Sequence, residues 1–282
     1  MKTYLDCLPC FLNQALRAAR IATDDERKVK EVLDEVGMML KNIPPESSPP
    51  ETGRLIYRKV SEITGNWDPF REIKDKSTKK ALSLYPSLKS HVEKSNDRLL
   101  TAIRIAIAGN VIDFGPDRSF DIEKDTAKTL KKEFVICDYG RFKDCLDETD
   151  EILYIGDNAG ECVFDKVLIE EMKKSTIYVV RNTPVINDAT YEDAVKAGID
   201  KVATILSSGT DAPGTVLKTC NSEFMNVYKN SRLIISKGQG NYEALSNEKS
   251  PIFFLLTVKC QVIANDIGVG EGDIILLRSC QK

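Results

Sequence analysis

The sequence predicts an α/β protein: a three-layer α/β/α core on a mainly parallel sheet, joined to an all-α N-terminal subdomain. Three observations carry this expectation. Residues 1 to about 100 read as helix after helix, short β-rich runs alternate with helical segments from about residue 120, and the stretches after the runs are polar and glycine-rich. Strand–helix–strand alternation favours parallel strands with helices covering both faces of the sheet. The expected division is a helical subdomain over residues 1–100 and an α/β core that binds metal and phosphate over 101–282.

The first helix is "CFLNQALRAARIA", where Phe11, Leu12, Ala15, Leu16, Ala19 and Ile21 recur at roughly helical spacing. "IPPESSPP", residues 43 to 50, carries four prolines between amphipathic segments and reads as a loop between helices. "ETGRLIYRKVSEITG" is the next helix and ends at Gly65, a residue suited to the left-handed turn that closes a helix. "AIAGNVIDFG", residues 106 to 115, sets Gly109, Asn110 and Asp113 in an otherwise apolar stretch. Polar groups there cost free energy unless partnered, which makes Asn110 and Asp113 candidate ligand contacts.

The strand candidates are "EILYIG", "STIYVV", "VATILS", "RLIISKG", "IFFLLTV" and "GDIILLR". Between the first two, "ECVFDKVLIEEMKK" places Cys162, Val163, Val167, Leu168 and Met172 on one apolar helix face. Open parallel sheets bind ligands beyond the carboxyl ends of their strands. The stretches expected there are "GDNAGE", "RNTPVIND", "SSGTDAPGT", "SKGQGNYE" and "VKCQVIANDIG".

If these stretches converge, Asp157, Asn158 and Asp188 offer two carboxylates and a carboxamide, hard oxygen ligands suited to Mg²⁺ or Mn²⁺. Taken alone, Asp157 and Asn158 suit helix capping better, Glu161 suits a helix first turn, and Asp188 suits a tight turn. Capping alone does not require acids, glycines and a lysine together. Ser208 and Gly209 of "SSGTDAPGT", and Lys237, Gly238 and Gly240 of "SKGQGNYE", fit either a phosphate or plain turns. Glu243 stands where a dinucleotide-binding GxGxxG needs its third glycine, and no Walker sequence occurs. Lys259, after the apolar run "IFFLLTV", is either a point charge for phosphate at the crevice or a solvated strand-end lysine.

Composition narrows the field. With 40 basic and 43 acidic residues the net charge is −3, which disfavours nucleic acid as a partner. No apolar run approaches the ~20 residues of a membrane helix, and the start lacks the basic and apolar stretches of a secretory signal, so a cytoplasmic location is expected. His91 is the only histidine, which excludes multi-histidine metal sites; it reads as a surface or packing residue. The eight cysteines are expected reduced. "CLPC", residues 7 to 10, lacks both a surrounding βαβ pattern and a second close ligand pair, so packing or a structural role is expected.

Together "CLPC", "GNVIDFG", "GDNAGE", "RNTPVIND", "SSGTDAPGT", "SKGQGNYE" and "TVKC" occur in an order and spacing that resembles the DUF89 damage-control phosphatases, also called the ARMT1-like family. The similarity is to the branch with an N-terminal CxxC, found in archaeal proteins and at the end of some pantothenate kinases. It spans essentially the whole chain. The resemblance implies a divalent-metal-dependent phosphatase (Mn²⁺, Mg²⁺, Co²⁺ or Ni²⁺) acting on small phosphorylated metabolites such as sugar phosphates or phosphopantetheine-like compounds. It puts the metal ligands on Asp157, Asn158 and Asp188, associates Asn110 and Lys259 with substrate phosphate, and matches Glu161 to the acid closing the first motif. Asp157, Glu161 and Lys259 are thus the expected catalytic residues. Two rivals are an S-adenosylmethionine-dependent carboxyl methyltransferase, for which no adenosyl-binding loop is evident, and a non-enzymatic module that binds metal and phosphometabolite.

Overall fold

The computed structural model describes residues 1–109 and 130–279. Asn110 and Asp113 therefore lie outside the described residues. The first three helices are α1 (Cys7–Ala22), α2 (Glu26–Leu40) and α3 (Pro49–Thr64). They share their own apolar cluster, in which Phe11, Ala15 and Ala19 meet Val32, Val36, Ile56 and Val60. Leu12, expected on the buried stripe, is instead 37% exposed, because the helix turns its buried face toward Ala18 and Ala19.

The proline-rich loop is shorter than the sequence suggests. Pro49 and Pro50 form the first turn of α3, where a missing N–H costs nothing because that donor has no intrahelical partner. Ser48 and Glu51 complete a capping box at the same end, and Gly65 closes the helix at φ 77°.

The sheet contains β1 (Phe134–Cys137), β2 (Glu151–Ile155), β3 (Ser175–Val180), β4 (Thr204–Ser207), β5 (Ile234–Lys237), β6 (Ile252–Thr257) and β7 (Ile274–Arg278). Their spatial order is β1-β7-β6-β5-β2-β3-β4. β6, β5, β2, β3 and β4 are mutually parallel. β7 runs antiparallel to β6 and carries β1 beside it in parallel, so the sheet is mixed at one edge.

Strand residues divide between two cores by the period of two that a pleated strand imposes. Ile152, Tyr154, Phe253 and Leu255 face one layer, formed by α4 (Arg71–Glu93), α5 (Arg98–Ala108), α6 (Tyr139–Asp147), α7 (Cys162–Met172) and α8 (Tyr191–Ala197). Leu153, Ile155, Phe254 and Leu256 face the other, formed by α9 (Ser222–Asn230), α10 (Gln239–Leu245) and α11 (Gln261–Ile267). This is the three-layer α/β/α arrangement that the sequence predicts. No described helix is long and apolar enough to cross a membrane.

From β2 the chain proceeds to β3 on one side, whereas β5 lies on the other. The gap between the carboxyl ends of β2 and β5 is therefore the topological switch point, the place where such sheets receive ligands.

Candidate metal centre and substrate cavity

β2 ends at Ile155, and Gly156 to Asn158 leave the sheet at the switch point. Gly156 is required there, since a Cβ would stand 2.5 Å from the Tyr178 hydroxyl. The backbone then pairs with the loop after β3: Ala189 N–H donates to the Asp157 carbonyl at 2.8 Å, and Ala159 N–H donates to the Asn187 carbonyl at 2.9 Å. Asn158 and Asp188 form an antiparallel bridge. Ile186 bends that second loop with φ 40°, a left-handed conformation that costs a β-branched residue about 1–3 kcal/mol. Two loops 30 residues apart in sequence are thus clamped together, and Asp157, Asn158 and Asp188 meet.

Neither Asn158 nor Glu161 caps a helix through its side chain. Instead Asn158 Nδ2 donates to Asp157 Oδ2 at 3.2 Å and to Glu161 Oε1 at 2.7 Å. Asp188 Oδ2 accepts from Arg181 Nε at 2.7 Å, and both residues are 1% exposed. Arg181 also donates to Thr215 Oγ1 and to Asn241 Oδ1. Asn241 in turn donates to the carbonyls of Gly156 and Lys237, tying β2 to β5 beneath the acids.

Burial, then the neighbouring charges of Glu161 and Asp188, push the Asp157 carboxyl well above its usual range. Glu161 is also raised by burial, against the charge of Lys237. A bound cation would relieve this crowding of acids by stabilising their ionised forms. The donors fit a hard divalent ion, since all are oxygens. Among the described residues no trio of His, Cys, Asp or Glu is gathered as a metal site; the cluster is two carboxylates completed by a carboxamide.

The sequence matches the family described as "Damage-control phosphatase ARMT1-like domain" over residues 3–275. It is 36% identical to a damage-control phosphatase of Archaeoglobus fulgidus, covering 95% of this chain and 96% of that one. A damage-control phosphatase of Pyrococcus horikoshii is 35% identical, with 99% of each chain covered. The crystal structure of a DUF89 family protein from Pyrococcus horikoshii superposes with a TM-score of 0.90 at 34% identity, over 99% of this chain and 100% of that chain. The chain belongs to the ARMT1-like family.

In this ARMT1-like chain the acids open into a cavity of about 480 Å³. Asp157, Asn158, Asp188 and Lys259 line one side, and Cys10, Asn13, Gln14 and Arg17 of α1 line the other with Tyr57 of α3. One face of α1 is thus buried in the helical cluster while a polar stripe overlooks the acids. Tyr57 donates its hydroxyl proton to Gln14 Oε1 at 2.9 Å, and Gln14 Nε2 donates to Cys10 Sγ at 3.2 Å. Cys7 and Cys10, for which packing or a structural role is expected, are half-buried and exposed and border this cavity with Cys260.

The remaining expected site residues separate. Gly240 borders the cavity, while Gly209 borders a neighbouring one between α3 and the loops after β3 and β4. Gly238, at φ 77°, lies directly against Asp157, whose carboxylate fills the space a Cβ would take. Ser208 is buried and donates to the Val180 carbonyl at 2.8 Å, closing the end of β4. Lys237 does not reach the cavity. It is 0% exposed, and its ammonium donates to Glu161 Oε2 at 3.0 Å and Asp165 Oδ1 at 2.7 Å. Arg181, Asn241 and Asp165 were not singled out by the sequence; the one available signal was a charged Asp165 amid the apolar face of α7.

Proposed function

We propose that this protein is a divalent-metal-dependent phosphatase that hydrolyses small phosphorylated metabolites, with Asp157, Asn158 and Asp188 as the metal ligands. One observation carries the reading: three oxygen-bearing side chains from two loops stand together at the sheet's switch point, under a cavity with Lys259 on its wall. The names of the relatives support the activity. When bound, a divalent cation supplies Lewis acidity at the phosphoryl group.

The chain's own residues do the rest. Arg181 holds Asp188 in place through its 2.7 Å ion pair. Lys259 contributes positive charge to the phosphate oxygens, where charge develops as the ester bond breaks. Asp157 borders the cavity and can orient a water molecule and hold its proton at a carboxylate oxygen. Glu161 suits that task poorly, because it is 1% exposed and both its oxygens accept hydrogen bonds from protein donors. Asn13, Gln14, Arg17 and Tyr57 form the opposite wall and meet the organic part of the substrate. In this division of labour the N-terminal helices cover a metal- and phosphate-binding α/β core.

The test is phosphate release from p-nitrophenyl phosphate and from a panel of phosphorylated metabolites, with Mn²⁺, Mg²⁺, Co²⁺ or Ni²⁺. Release that depends on the metal and stops with chelator is expected. Saturable binding with no release under any metal would favour a non-enzymatic sensor, and binding of S-adenosylmethionine without metal would favour a methyltransferase.

A further inference from the structure

Below the three oxygen ligands lies a buried polar chain that makes no contact with the cavity. Lys237, at the end of β5, donates to Glu161 Oε2 and to Asp165 Oδ1. Asp165 also accepts from the Tyr154 hydroxyl at 2.7 Å and from the Tyr178 hydroxyl at 2.8 Å. The two tyrosine rings stack with centroids 5.3 Å apart, which fixes both hydroxyls. Lys237, Asp165, Tyr154 and Tyr178 are all 0% exposed. Such an assembly is a costly way to fill a core, since apolar side chains of similar volume stabilise at least as well as a buried ion pair.

The upper end of the chain suggests what it does. Glu161 Oε1 is the stronger of the two acceptors of Asn158 Nδ2, at 2.7 Å against 3.2 Å for Asp157. An amide nitrogen only donates and an amide oxygen only accepts. Turning the Asn158 amide over would set its oxygen against two carboxylates. With the nitrogen held between Asp157 and Glu161, the oxygen is on the branch turned away from both.

We propose that Lys237 and Asp165 are positioning residues that act through Glu161 to keep the Asn158 carboxamide oxygen facing the metal. Lys237 occupies Oε2 of Glu161 and so leaves Oε1 as the acceptor presented to Asn158. Asp165, steadied by the two tyrosines, holds Lys237 at that oxygen. The inference rests on the reading of Asn158 as a metal ligand, and it reassigns Lys237 from substrate to scaffold.

Glu161→Gln tests it. In that variant Lys237 still requires an acceptor and takes the glutamine oxygen, so the glutamine nitrogen faces Asn158 and forces its amide to turn over. Mn²⁺ binding to the full chain, measured by calorimetry, is expected to weaken about 10–100-fold, as for loss of an outer-shell partner. The double variant Lys237→Met/Glu161→Gln removes one positive and one negative charge and frees the glutamine to present its oxygen. Affinity should return to within about threefold of the parent. A merely structural role predicts no such recovery. Unchanged affinity in folded Glu161→Gln, or a folded double variant that binds no better than Glu161→Gln, overturns the proposal. If Glu161→Gln does not fold, the double variant decides alone: parent-like affinity supports the proposal and lost binding overturns it. Failure of the parent itself to bind Mn²⁺ would instead remove the metal site, which separates the two readings.

Discussion

Gly238 and Asp157 share one space: a side chain on the glycine would overlap Oδ2 of the aspartate. The contact joins the ends of β5 and β2, the two strands that flank the switch point, and explains a glycine at φ 77° directly after the buried Lys237. Gly238→Ala would meet both the left-handed strain and the carboxylate. We expect a loss of about 1–3 kcal/mol in stability to urea together with weaker Mn²⁺ binding. An alanine variant with parent-like metal affinity would show that the Asp157 carboxylate can move without consequence.

Asp157→Asn separates folding from chemistry. The variant removes a carboxylate that burial and two acidic neighbours disfavour in its charged form, so the metal-free protein should be at least as stable as the parent. Metal-dependent phosphate release should fall by about 10²–10⁴-fold, because in the proposed reaction the residue both holds the cation and orients water. Thermal unfolding without metal and steady-state turnover with metal check the two halves, and normal turnover would take Asp157 out of the reaction.

How much of this could be read in the sequence depends on the range of the interaction. The strand runs, the apolar face of α7 and the closing Gly65 follow from local periodicity and turn chemistry, and all three appear as expected. Asp157, Asn158 and Asp188 could be suspected as a group because each follows a strand of a mainly parallel sheet. Lys237 could not be placed: at a strand end it resembles Lys259, and only the tertiary pairing with Asp165 and Glu161 sends one inward while the other stays exposed. Arg181 escaped for the same reason, since its partners Asp188, Thr215 and Asn241 come from two separate loops and from helix α10. Its backbone position after "STIYVV" carries no local sign of them.

Two cations on opposite walls should have different kinetic signatures. Lys259 stands on the side of the acids and Arg17 on the helical side, where no described residue forms an ion pair with it. Lys259→Ala should weaken competitive inhibition by inorganic phosphate and lower kcat, because in the proposed reaction Lys259 supplies charge to the reacting group. Arg17→Ala should leave phosphate inhibition nearly unchanged and raise KM by about 10-fold for a substrate whose organic part reaches α1. Identical effects of both variants on phosphate inhibition would show that the α1 stripe touches the phosphoryl group itself.

Glu243 provides a stability test independent of catalysis. This half-buried carboxyl borders the cavity and accepts from Gln239 Nε2 at 3.0 Å. Burial raises it from 4.5 to about 7, against the opposing hydrogen bond. Its acidity is therefore weaker in the folded state than in the unfolded chain. Between those two values the folded protein holds a proton that the unfolded chain has released, so stability falls as pH rises through the window and stays reduced above it. Glutamine reproduces the neutral acid and can keep the bond from Gln239. Glu243→Gln should thus be more stable than the parent by about 1–3 kcal/mol at pH 8, and the advantage should shrink toward zero near the lower end of the window. Urea unfolding of both proteins across that range reads the difference directly, and an advantage independent of pH would show that Glu243 is already ionised throughout.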